Sequence, residues 1–130
     1  MNIENLKKVR ARIAAAPAEH CNMKEWHCGS VMCIGGFTED QMIADRIISE
    51  RDIEIRDADI DSKVDTFLGI TSDEADYLFF SYPSTQPLYG WKGWMLARLD
   101  EIIATGEITY AGGRQYALDL VRMILNDSTD

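Results

Sequence analysis

The chain has 130 residues, 46% of them hydrophobic, and its 13 basic and 22 acidic side chains give a formal charge of −9. That size suits one domain, the apolar fraction suits a folded one, and no run of 18 apolar residues is present to span a bilayer. The acidity argues against direct binding to nucleic acid or to anionic lipid, both of which need Lys and Arg to neutralise phosphate.

In chain order, Asn2 is placed to cap a first helix (1–17) in which Ile3, Leu6, Val9 and Ile13 recur near the 3.6-residue period. Glu4 sits at its positive end and Pro17 stops it. The charged opening MNIENLKKVRARIAAAP has no apolar h-region, so a cytoplasmic protein is expected. A Cys- and His-rich segment follows from His20 to Phe37, with a helix start expected at Ser30. Thr38-Glu39-Asp40-Gln41 has the form of a capping box opening an amphipathic helix through Met42, Ile43, Ile47 and Ile48 to about Arg51.

Asp52–Asp59 alternates Ile53 and Ile55 with charges, but a lone strand is unstable, and a loop is expected there. Asp61 or Ser62 opens a short helix with Val64, Phe67 and Leu68, ended by Gly69 in the left-handed conformation. Thr71-Ser72-Asp73-Glu74 is a second capping box, leading into Ala75, Leu78 and Phe79, with Pro83 and Pro87 forcing a loop afterwards. Met95, Leu96, Leu99, Ile102 and Ile103 mark a helix over about 92–104 closed by Gly106. A turn at Gly112-Gly113 precedes a last helix over 114–126. The expected fold is all-α: a single-domain bundle of about five to six helices, with an N-terminal helix (1–17), a core (20–80) and a C-terminal helical hairpin (92–126).

The charge excess is local. Residues 39–76 hold thirteen acidic and four basic side chains, a balance of −9, while the flanks nearly cancel. The densest stretch carries Asp52, Glu54, Asp57, Asp59 and Asp61. It reads either as a solvated connection or as a negative surface that steers toward a basic partner, depending on whether the carboxylates share a face. Seven of the twelve aromatic residues fall between 77 and 94. Phe79 and Trp94 fit core positions, whereas Tyr82, Tyr89 and Trp91 flank loop chemistry and read either as exposed rings that anchor a protein interface or as rings folded back onto the core.

Both histidines and all three cysteines lie within fourteen residues. Cys21, His27, Cys28 and Cys33 offer zinc-type ligands, but without a C-x-x-C pair. Cys28 ahead of a helix start, with His27 or His20 as base, offers a nucleophilic thiol. The lack of any histidine after His27 argues against a papain-type mechanism. The third and favoured reading is structural: Trp26, Val31, Met32, Cys33, Ile34 and Phe37 form a buried helical turn, packed closely through Gly29, Gly35 and Gly36. An odd cysteine count argues against a disulfide framework, and no cofactor is expected.

The string Trp26-x-Cys28-Gly29-Ser30-x-x-Cys33-Ile34-Gly35-Gly36, followed by Phe67-Leu68-Gly69-Ile70-Thr71, Ala75 and Leu78-Phe79, resembles a family of small phage and prophage proteins. That family has a W-x-C-G-T-x-x-C-I-A-G-like core and then an L-L-G-L-T-x-x-x-A-x-x-L-F-like helix pair. Ser30 stands where the family has Thr, and Gly35 where it has Ala. The resemblance covers about 20–80, implies a phage-derived protein of the bacterial cytoplasm, and supplies no catalytic residues. The functional expectation is therefore a protein that binds another protein, such as a basic nucleic-acid-binding one, and inhibits a host or defence protein by occlusion or nucleic-acid mimicry. A thiol enzyme using Cys28 and a zinc-stabilised module are the alternatives.

Overall fold

The computed structural model describes residues 1–56, 59–88 and 90–109, and within them the fold is built from six α-helices and one very short hairpin. Helix α1 (Ile3–Ala15) starts where the Asn2 side chain accepts the Asn5 N–H at 3.1 Å. It ends as Ala16 turns extended ahead of Pro17. Leu6, Val9 and Ile13 are its buried stripe. The Lys92 ammonium donates to the carbonyls of Ala14 and Ala16, at 3.0 and 2.6 Å, covering oxygens that a helix end leaves without partners.

After a 3₁₀ turn at Ala18–His20, strands β1 (His27–Cys28) and β2 (Val31–Met32) pair antiparallel, with His27 opposite Met32 and Cys28 opposite Val31. Gly29, at φ 63, makes the turn. The sequence expectation of a helix opening at Ser30 is thus corrected: Ser30 belongs to the hairpin turn, and α2 (Ile34–Ala44) begins after Cys33. Thr38–Gln41 is likewise the middle of α2 and caps nothing. The Thr38 hydroxyl instead donates to the Ile34 carbonyl at 2.8 Å. Gly35-Gly36 lies in the first turn of α2.

Helix α2 stops at Asp45, with Arg46 in the left-handed region, so it does not reach Arg51. Ser49 and Asp52 then exchange capping hydrogen bonds of 3.2 and 2.8 Å that open α3 (Glu50–Ile55). Much of the expected loop is therefore helical, since a cap and its reciprocal partner set one turn without a hydrophobic period. Arg56 leaves α3 at φ 46.

Helix α4 (Ile60–Leu68) ends on left-handed Gly69, and the Thr71/Glu74 capping box opens α5 (Ser72–Phe79), both as the sequence predicts. Helix α6 (Gly90–Thr105) carries the expected apolar face and is followed by Gly106 at φ 71. The Gly112-Gly113 turn and the helix over 114–126 lie outside the described residues.

Helix α1 packs on α6 and α2, and α2 packs in turn on α4 and α5. Backbone ties close the far end: Asn2 N–H donates to the Leu68 carbonyl and Asn5 Nδ2 to the Phe67 carbonyl, each at 2.7 Å. Buried Arg98 donates to the carbonyls of Tyr77 and Thr109, fastening α6 to α5 and to the segment beyond α6.

Candidate functional site

Trp26 organises one side of the molecule. A Cβ placed on Gly35 would come within 2.4 Å of the Trp26 ring, and one on Gly36 within 2.1 Å of the Trp26 carbonyl oxygen. The two glycines of α2 are therefore the space in which the indole and its backbone lie. From there the ring meets Phe79 edge-on at 5.3 Å and stacks with Phe80 at 5.8 Å. The Arg56 guanidinium stands 5.4 Å from its centroid, a cation–π distance.

Beneath the indole lies Glu39, a carboxylate on α2 with no solvent exposure. The Trp26 indole N–H donates to its Oε1. His27 Nδ1 faces the same oxygen at 3.4 Å, and Arg56 Nη1 donates to Oε2 at 3.3 Å. The other His27 nitrogen pairs with Asp40 at 3.2 Å. Hydrogen bonding to Asp40 and then to Glu39 outweighs burial and lifts the His27 pKa to about 9, so the ring is an imidazolium at neutral pH. Burial pushes the Glu39 carboxyl up, but the hydrogen bonds from His27 and Trp26 and the charge of Arg56 together hold it below its ordinary value. The cluster thus ties the hairpin, α2 and the end of α3 around one buried charge.

Trp26 and Arg56 also line a groove of about 410 Å³ between α4 and α5. Val64, Ala75 and Phe79 give it an apolar floor, Phe80 an aromatic wall, and Asp61, Asp65 and Asp76 a carboxylate rim. Asp61 and Asp65 share a helix face by their four-residue spacing. Burial, and after it the nearby Asp61 and Asp76, raise the Asp65 pKa. Phe80 is 65% exposed, and Tyr77 on the same helix 43%. A larger depression of about 670 Å³ beside α1 is lined by Lys8, Arg12 and His20, but Lys8 is paired with Asp45 at 3.1 Å and Arg12 bonds Gln41 at 3.0 Å. The groove differs from it in its three carboxylates and its exposed ring.

The residues singled out from sequence are distributed unevenly around this site. Asp61 lines the groove, Asp59 is exposed at the start of α4, Glu54 is exposed on α3, and Asp52 is engaged in the Ser49 cap. The acidic run therefore does not enter the groove as a unit. Asp57 and Tyr89 lie outside the described residues. Trp91 is buried, meeting Tyr82 at 5.9 Å and Trp94 at 6.0 Å, so of its two readings the core one holds and the interface one is corrected, with half-buried Tyr82 leaning on it.

The thiols are dispersed. Cys28 is exposed; Cys21 and Cys33 are buried, with burial raising the Cys21 thiol and pushing Cys33 up to about 11. His27 and Cys28 are consecutive in a strand and so point to opposite faces, and His27 already spends both nitrogens on carboxylates. With α2 starting after Cys33, Cys28 has neither a helix N-terminus at Ser30 nor the His27 ring as its base. Cys21, His27, Cys28 and Cys33 do not form a ligand set, and among the described residues no three His, Cys, Asp or Glu side chains are grouped to hold a metal ion.

Sequence reasoning missed Glu39, Trp26, Asp65, Asp76 and Phe80 as site residues. One signal was present: a carboxylate in the apolar run Cys33–Phe37 and beyond, next to a Gly pair that leaves room for a large ring. Comparison of the chain with protein-family models, curated proteins and solved structures finds no match.

Proposed function

We propose that this protein acts by binding another protein through the negative, ring-bearing face formed by α4 and α5, and that the partner presents a basic surface of the kind nucleic-acid-binding proteins use. The supporting observation is the meeting of Asp61, Asp65 and Asp76 in one concavity beside exposed Phe80. Carboxylates held on a rigid helical scaffold can take the place of phosphates in a basic groove, so binding there occludes the partner's own ligand. An inhibitor of a host or defence protein, working in the bacterial cytoplasm as the phage-type motif implies, fits this reading. No described helix is long and apolar enough to cross a membrane.

The test uses the full chain as bait in bacterial extract, against an Asp61→Lys/Asp65→Lys/Asp76→Lys variant. A bound protein should be retained by the native chain and lost by the variant. It should also be released as salt rises from about 0.1 M to 1 M, where the Debye length shrinks from about 10 Å to about 3 Å. A complex indifferent to both changes overturns the proposal.

A further inference from the structure

We infer that the groove between α4 and α5 receives an arginine side chain from the partner, stacked on Phe80 and held by Asp61, Asp65 and Asp76. This rests on the reading of the protein as a binder of basic proteins and names the group that the groove selects. The chain displays the same chemistry internally: the Arg56 guanidinium lies over the Trp26 ring at 5.4 Å and pairs with Glu39 at 3.3 Å. That internal contact uses the Trp26 ring and the Glu39 carboxylate. A second aromatic face, Phe80, stays 65% exposed, and the three rim carboxylates make no ion pair among the described residues. Arg56, the guanidinium that lines the groove, is paired with Glu39, so an incoming cation relieves the repulsion among the three rim carboxylates.

The lining of the site favours guanidinium over ammonium. Its volume of about 410 Å³ is room for an extended side chain. Among the described residues no three His, Cys, Asp or Glu side chains are grouped to hold a metal ion, the rim carboxylates included. Guanidinium offers five N–H donors in a fixed fork, stacks flat on an aromatic ring and is more weakly hydrated than an ammonium. Lysine shares only the charge.

The experiment titrates the full chain with an acetylated tetra-arginine peptide at about 0.15 M salt, where the Debye length is about 8 Å, by calorimetry and by the shift of the Trp26 indole N–H in NMR spectra. One saturable site is expected. Asp61→Asn/Asp65→Asn/Asp76→Asn should weaken it about tenfold or more, and Phe80→Ala about threefold or more, as charge-assisted bonds and a stacking face are lost. These positions are exposed or half-exposed, and helical circular dichroism checks that the variants fold. Tetra-lysine should bind about fivefold or more weakly than tetra-arginine. A control of equal charge change elsewhere, Glu19→Gln/Glu101→Gln/Glu107→Gln, should stay within about twofold, because exposed charges beyond a Debye length are largely screened.

Absence of a saturable site, equal binding of tetra-lysine, or an equal loss in the control variant each overturns the inference. If any of these occurs while the salt-sensitive protein complex survives, the groove assignment fails and the proposed function stands. If that complex is itself indifferent to salt and charge, the proposed function fails first.

Discussion

Two seams hold this molecule together by different means. Where α1 meets α6, the buried side chains are Leu6, Val9 and Ile13 on one helix and Trp94, Met95, Leu99 and Ile102 on the other. Where α2 meets the hairpin and α3, the contacts are a buried carboxylate, an imidazolium, an indole N–H, a guanidinium and two glycines. The first seam draws its strength from apolar area, which is non-directional and indifferent to pH. The second depends on a few atoms at set distances, and it positions Trp26 and Arg56 at the groove. The part that shapes the candidate site is thus the part most open to single-atom changes and to protonation.

The largest effect should come from the apolar seam. Trp94→Ala removes a ring with no solvent exposure, and a loss of about 3–5 kcal/mol is expected in denaturant unfolding, with the groove's peptide binding unchanged wherever the variant is folded. On the other seam, Gly36→Ala drives a methyl onto the Trp26 carbonyl and the Met32 side chain. A loss of about 1–3 kcal/mol is expected, accompanied by a changed Trp26 environment in near-ultraviolet circular dichroism. An undisturbed Trp26 signal in that variant would break the contrast between the seams.

The pH response should also separate the two seams. The His27 pKa is raised in the fold to about 9, so its contribution is fully present below its unfolded value of about 6.5 and is lost as pH rises through 9. Glu39 is held below its ordinary value, so its contribution is present above about 4.5 and is lost as pH falls through the lower folded value. Stability should therefore be highest between about pH 4.5 and 6.5 on account of this cluster, and His27→Gln should flatten the alkaline side of the profile. A variant profile that still falls between pH 6.5 and 9 would assign that loss to other groups.

Smaller effects follow from local features. Thr71→Ala, which removes the α5 cap, should cost about 1 kcal/mol. Breaking the exposed Arg10–Asp100 pair, at 2.6 Å, should cost less than about 1 kcal/mol in a double-mutant cycle. Thiol labelling should modify Cys28 rapidly in the folded chain, and Cys21 and Cys33 only on unfolding, since both are buried.

The elements legible in advance were those encoded within one turn of chain. The Asn2 cap, left-handed Gly69, the Thr71/Glu74 box and Gly106 each satisfy backbone groups three or four residues away, and each lies where local chemistry places it. The failures lie where a distant residue supplies the reason. Gly35-Gly36 is helical because an indole from the hairpin needs the room, and the Thr38 signature lost its meaning once α2 began at Ile34. Of the candidate site, Asp61 alone was anticipated among the groove carboxylates. Asp65 and Asp76 were ordinary helix-surface charges until α4 and α5 came together, and Trp91 was an interface candidate until Tyr82 and Trp94 enclosed it.

Composition and short-range pattern alone therefore determined the helical class, the apolar stripes and the acidic middle of the chain, because those follow from periodicity and hydrogen bonds between near neighbours. Tertiary structure decided which charges meet. Glu39 became an internal counter-ion and Asp61, Asp65 and Asp76 became one rim only through packing between separate elements, where distance and dielectric set the strength of every pair.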